Sequence, residues 1–127
     1  MACAAHGILS SVTSDELPAL IEARVSVPDA ETAQQIARQL VSQQIAACVQ
    51  VVGPVASIYT WKEEVHQASE WLLLVKTVSA SFQRVTDLVV SMHRYDVPEI
   101  TAVPITHTLE SYGGWVRTNS AGTMAEG

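Results

Sequence analysis

Two groups of side chains in this 127-residue chain are chemically equipped to do something. The first is Cys48, Met92, His93, Asp96 and Glu99. A thiolate, a thioether and a neutral imidazole are soft or borderline ligands for copper or zinc, and the carboxylates add hard donors. Their surroundings argue for a weak site. Ala46–Ala47–Cys48–Val49 sets no cation or base beside the thiol, so Cys48 reads as a small, buried, poorly reactive hydrophobe. His93, Asp96 and Glu99 follow one another outside a helix, which is weak metal spacing, and a single histidine more often makes structural hydrogen bonds. The second group is Trp61, Glu70, Lys76, Tyr95 and Glu99. Glu70 and Lys76 stand an even number of residues apart in one strand-like run, so they share a face and put a charge at each end of an apolar stretch. A cleft with an apolar floor and an ammonium and a carboxylate at its rim would suit a small anion or polar metabolite. The same five residues would equally serve as an ion pair and aromatic packing at a seam between copies. The chain has no Gly-rich phosphate loop and no CxxC, HExxH or GxSxG motif, which weighs against an enzyme.

Periodicity shows which elements must position these residues. Ala19–Val27 carries Leu20, Ala23, Val25 and Val27 and stops at Pro28, which predicts a strand. Asp29 offers an N-cap, and Glu31 suits the positive end of a helix. The apolar positions Ala33, Ile36, Ala37, Leu40 and Val41 of that helix form one buried stripe. Two long strand-like runs follow, Ala47–Trp61 and Val65–Thr77, separated by the charged turn Lys62–Glu63–Glu64; together they read as one long hairpin. Gly53–Pro54 predicts a bulge or bend in its first arm, and the apolar run Trp71–Val75 predicts a strand covered on both faces. A second helix, capped by Ser79 or Ser81, places Phe82, Val85, Leu88, Val89 and Met92 on one stripe and ends before Pro98. Glu99–Thr106 is the last core strand, at an edge or a bulge because Pro104 lacks a donor. A short helix around Leu109–Arg117 is weakened by Gly113–Gly114. The order βαββαβ is that of a ferredoxin-like α+β sandwich, with two helices on one face of an antiparallel sheet. One domain at 19–118 is expected, after an N-terminal extension at 1–18 and before a disordered tail at 119–127.

The hairpin implies partners. A domain of this size is about 35 Å across, whereas arms of about thirteen to fifteen residues reach roughly 43–50 Å. Ile58, Tyr59, Trp61 and Val65 lie at the overhanging end, and an exposed apolar strand invites pairing with another chain. Charged residues make up 16% of the chain, below the roughly 25% of ordinary soluble domains, as if less of the surface faces water. With 7 Lys+Arg against 13 Asp+Glu and a net charge of -6, no basic stripe is available for phosphates, so no nucleic-acid partner is expected. Cys3 and Cys48 suggest no disulfide framework and fit a reducing cytoplasm. Residues 1–11 lack the basic start and long apolar core of a secretory signal, and no run approaches the ~20 apolar residues of a membrane span. A soluble cytoplasmic protein is expected.

Four blocks agree in order and spacing with one known family: Ala46–Ala47–Cys48–Val49, Ser57–Ile58–Tyr59–Thr60–Trp61, Glu70–Trp71–Leu72–Leu73–Leu74–Val75–Lys76–Thr77, and His93–Arg94–Tyr95–Asp96–Val97–Pro98–Glu99. They resemble the CutA family of divalent-cation tolerance proteins over residues 19–117. The resemblance implies a homotrimer knit by intersubunit strands, a non-enzymatic role in divalent-cation tolerance and no required cofactor. In family members described as binding copper, ligands come from a cysteine at the end of the first strand and a paired His–His before the tyrosine. Those places hold Val25 and Met92–His93 here. With only His93 retained, the resemblance implies weakly bound copper or zinc at most, assisted by sulfur from Met92 or Cys48. A trimeric small-metabolite sensor with an intersubunit cleft is the second function consistent with these residues.

Overall fold

Alternation along Leu20–Val27 makes a two-faced strand, β1: Ala23, Val25 and Val27 are fully buried on one face, and Glu22, Arg24 and Ser26 occupy the other. The computed structural model describes residues 17–120; all but the last two residues of the expected extension, and all but the first two of the expected tail, lie outside the described residues. After β1, Asp29 caps α1 (Ala30–Ser42), its carboxylate accepting from the Thr32 backbone N–H at 2.7 Å and the Thr32 hydroxyl at 3.1 Å. Ala33, Ile36, Ala37 and Leu40 form the expected stripe. Val41, expected on it too, is 42% exposed, because at i+8 from Ala33 it has rotated to the stripe's edge.

The hairpin consists of β2 (Cys48–Trp61) and β3 (Glu64–Val78). Its turn is the two residues Lys62 and Glu63, both at positive φ as a tight hairpin requires, so Glu64 belongs to β3 rather than to the turn. Pairing runs from Trp61↔Glu64 to Cys48↔Lys76, with one extra residue in β2 between Val52 and Val55. This is the bulge expected at Gly53–Pro54. A Cβ on Gly53 would stand 2.6 Å from the Trp71 ring, so the close approach of indole to backbone requires glycine there.

A 3-10 turn, Ser79–Ser81, leads into α2 (Phe82–Met92). Ser81 occupies the N-cap position but does not cap. Its hydroxyl donates to the Ser120 carbonyl at 3.2 Å, anchoring the end of the last helix instead. Next come β4 (Ile100–Ile105) and α3 (Glu110–Asn119), which runs two residues past the expected Arg117. The sheet is antiparallel in the order β2-β3-β1-β4, so β2 and β4 are edges and Pro104 sits where its missing donor is tolerated.

Helices α1 and α2 cover the face carrying Ala23, Val25, Val27, Leu73 and Val75. On the opposite face, α3 packs Val116 against Leu20 and Val78 at one end of the sheet. Gly113 allows this, since a Cβ there would be 2.9 Å from Thr108 Cγ2 and 3.4 Å from Leu20 Cδ1. At the other end of that face Ser26 and Glu70 are buried, and between the two ends it is only partly covered within one chain. Leu73 and Val75 are fully buried but Leu72 and Leu74 only half-buried, so the expectation of a strand covered on both faces is not met by a single copy. Beyond the bulge the arm stands free of the core: Ile58 is 69% exposed, Trp61 55% and Val65 76%. Among the described residues no helix is long and apolar enough to cross a membrane.

Candidate functional site

Ser26 is a polar residue at 3% exposure between two core valines, and burial obliges its polar groups to find partners. Its hydroxyl donates to Glu99 Oε1 at 2.9 Å, its N–H donates to the Glu99 carbonyl at 3.3 Å, and its carbonyl accepts from His93 Nε2 at 2.6 Å. One serine thereby fixes both ends of the segment that joins α2 to β4. Within that segment, His93 Nδ1 accepts the Tyr95 backbone N–H at 3.1 Å, which makes Nε2 the protonated nitrogen. The His93 and Tyr95 rings tilt against each other with centroids 4.7 Å apart. So placed, the Tyr95 hydroxyl donates to Glu70 Oε2 at 2.8 Å. Arg94 turns away, its Nη1 3.7 Å from the Asp29 carboxylate at the start of α1.

Between this segment and the outer half of the hairpin lies a cavity of about 560 Å³. Ser26, Glu70, Tyr95, Asp96 and Glu99 line it from the core side, and Ser57, Ile58, Tyr59 and Trp61 from the arm. The fold thus brings together Trp61, Glu70, Tyr95 and Glu99 of the second group. It does not bring Lys76. That residue is six positions along β3 from Glu70, roughly 20 Å at the usual strand rise, and its ammonium is held by Glu22 at 3.3 Å and Gln50 at 2.9 Å. The cation of the expected anion cleft is therefore committed elsewhere. Burial alone would raise the Glu22 carboxyl, but the Arg24 hydrogen bond at 2.9 Å and the Lys76 ammonium outweigh it and hold Glu22 below the usual carboxylate range.

The metal candidates do not converge. Both ring nitrogens of His93 are engaged, leaving no free lone pair. Met92 is half-buried against the core. Cys48, expected to be buried, is half-buried on the open face across from Lys76, two strands away from β1 and offset along it from Ser26. Among the described residues no three of His, Cys, Asp and Glu are grouped to hold a metal ion. These residues do not fit a resident copper or zinc ion.

Burial, reinforced by the hydrogen bond to Glu70 and its charge, pushes the Tyr95 phenol up to about 12. The fold favours the protonated form, so the Tyr95 contribution to stability is intact below pH 10.0, the ordinary phenol value, and is lost as pH rises through about 12. In an ultraviolet phenolate titration, Tyr95→Phe should remove a step near pH 12. Removal of a step near 10.0 by this substitution, with any step near 12 retained, would contradict the Tyr95–Glu70 contact.

Spacing along the chain did not single out Ser26, Ser57 or Tyr59 as site residues. The one available signal was the hydroxyl of Ser26 between Val25 and Val27, a polar group in a strand that must lie in the core.

Comparison with known proteins identifies the architecture. The family described as CutA1 divalent ion tolerance protein matches residues 21–119. The chain belongs to the CutA1 family. It is 43% identical over 96 residues to the divalent-cation tolerance protein CutA of Thermus thermophilus, covering 76% of this chain and 93% of that one. It is 34% identical over 108 residues to the chloroplastic CutA of Arabidopsis thaliana, covering 85% of this chain but only 59% of that longer protein. The solved CutA1 structure from Thermus thermophilus superposes with a TM-score of 0.78 at 40% identity, covering 80% of this chain and 98% of that one. The four-stranded antiparallel sheet and long β2–β3 hairpin are those of CutA1 structures.

Proposed function

We propose that this CutA1-family chain works in divalent-cation tolerance as a non-enzymatic homotrimer joined through its hairpins, with the cleft at Glu70 and Tyr95 binding a small ligand. The observation that carries the assembly is the free-standing arm. Strands of 14 and 15 residues project Ile58, Trp61 and Val65 into solvent, while Leu72 and Leu74 are only half covered. Apolar surface so disposed, beside the unpaired edges of β2 and β4, is what strand addition from neighbouring copies would bury. Cys48 lies far from His93, so no thiol–imidazole pair forms, which favours binding over catalysis. Weak association of divalent metals, where it occurs, is assigned to the acidic surface, with its net charge of -6, rather than to His93. The unpaired thiol of Cys48 suits a reducing cytoplasm.

Hydrogen exchange tests the pairing. Outward-facing amides of β2 and β4 should exchange slowly at micromolar protein and quicken on dilution that separates the copies. Fast exchange of these amides at every concentration would contradict assembly through the sheet edges.

A further inference from the structure

Among the described residues, no Lys, Arg or His lines the acidic side of the cavity. Glu70 is 8% exposed, yet its carboxylate receives a single hydrogen bond, from Tyr95 to Oε2; Oε1 has no partner among the described residues. A carboxylate offers about four acceptor positions, and a buried one satisfied only once, with no counter-charge, is costly. The other carboxylates lining the cavity, Asp96 and Glu99, bring no neutralising charge, and none of the lining residues is Lys, Arg or His. Lys76, about 20 Å away along β3, is held by Glu22 and Gln50, and Arg94 by Asp29; His66 stacks on Tyr59 and is not among the residues that line the cavity.

Three aromatic rings also line the cavity: Trp61, Tyr95, and Tyr59, which is steadied by stacking on His66 with centroids 5.6 Å apart. Aromatic faces carry negative potential and attract cations that are weakly hydrated, the organic ammonium and guanidinium groups above all. We propose that this cavity binds a small organic cation, an alkylammonium or alkylguanidinium. Its charged head sits at Glu70 Oε1 and its carbon chain lies against Trp61 and Tyr59.

This inference rests on the reading of the same cleft as a binding site and names its ligand class. Two alternatives are weaker on the same observations. A divalent metal ion needs several convergent donors, and the described residues supply no such group. An anion would face three carboxylates without a cation. The volume of about 560 Å³ also exceeds what a bare ion needs and falls within the range of small-molecule sites.

Titration calorimetry with n-butylammonium and n-butylguanidinium tests the inference, with butyrate and n-butanol as controls of similar size. Native mass spectrometry on the same samples reports the number of copies independently. Both cations should bind saturably, and both controls at least about tenfold more weakly. Glu70→Gln keeps an acceptor for Tyr95 but removes the charge, so cation affinity should fall about tenfold or more. Trp61→Leu, at a largely exposed ring, should weaken the cations severalfold and serves if Glu70→Gln does not fold. Butyrate binding as tightly as butylammonium would overturn the inference. So would cation affinity unchanged in the variants, or no saturable binding of either cation. Cation binding by a single-copy species would support the inference while contradicting the homotrimer.

Discussion

Replacing Ile58 and Val65 together with glutamate should turn the protein into a folded single-copy species. The two positions share one face of the arm beyond the bulge, since Val65 pairs with Thr60 and Thr60 is two residues from Ile58. At 69% and 76% exposure they touch little of their own chain, so the fold of one copy should hardly register the change. Between copies the effect is large. Each apolar side chain removed from an interface forfeits roughly 1.5–3 kcal/mol, and each buried, unpaired carboxylate adds a further penalty of desolvation. Both losses recur once per subunit. Light scattering should show the mass fall to one chain while circular dichroism keeps the wild-type spectrum. A variant that assembles as the wild type does would move the seam away from the hairpin tip.

Leu73→Ala should cost about 2–5 kcal/mol, the range for emptying a buried leucine site. Leu73 is fully buried in β3, flanked by Val25 on β1 and Val51 on β2. It lies under both helices in the larger core cluster, so no single element can move to fill the void. Val90→Ala, on the exposed side of α2 at 55% exposure, should change stability by no more than about 0.5 kcal/mol. Chemical denaturation at one fixed protein concentration checks both, because assembly makes apparent stability concentration-dependent. A loss below about 1 kcal/mol for Leu73→Ala would mean the core is looser than its burial implies.

Much of this architecture was legible in the chain because its elements obey simple periods. Ala33, Ile36, Ala37 and Leu40 repeat at helical spacing, and the bulge is marked by Gly53–Pro54. The site was only partly legible. Even spacing correctly puts Glu70 and Lys76 on one face, but it says nothing about separation, and register gives each a different neighbour: Tyr95 for Glu70, Glu22 for Lys76. His93 looked like a ligand because residue type reports capacity and not occupancy; Ser26 and the Tyr95 backbone take both of its nitrogens. Ser81 occupied a cap position, yet its hydroxyl was drawn to Ser120, a partner brought near by α3 and invisible in local sequence. Pairings across the fold decide each of these cases, whereas periodicity along one element decides only which way a side chain points.

The assembly itself is best tested by the mass of the wild-type protein in solution. Sedimentation equilibrium at micromolar concentration should find three copies of the 13.7 kDa chain in one species. A single 13.7 kDa species under those conditions, with the hairpin arms still free, would contradict the account.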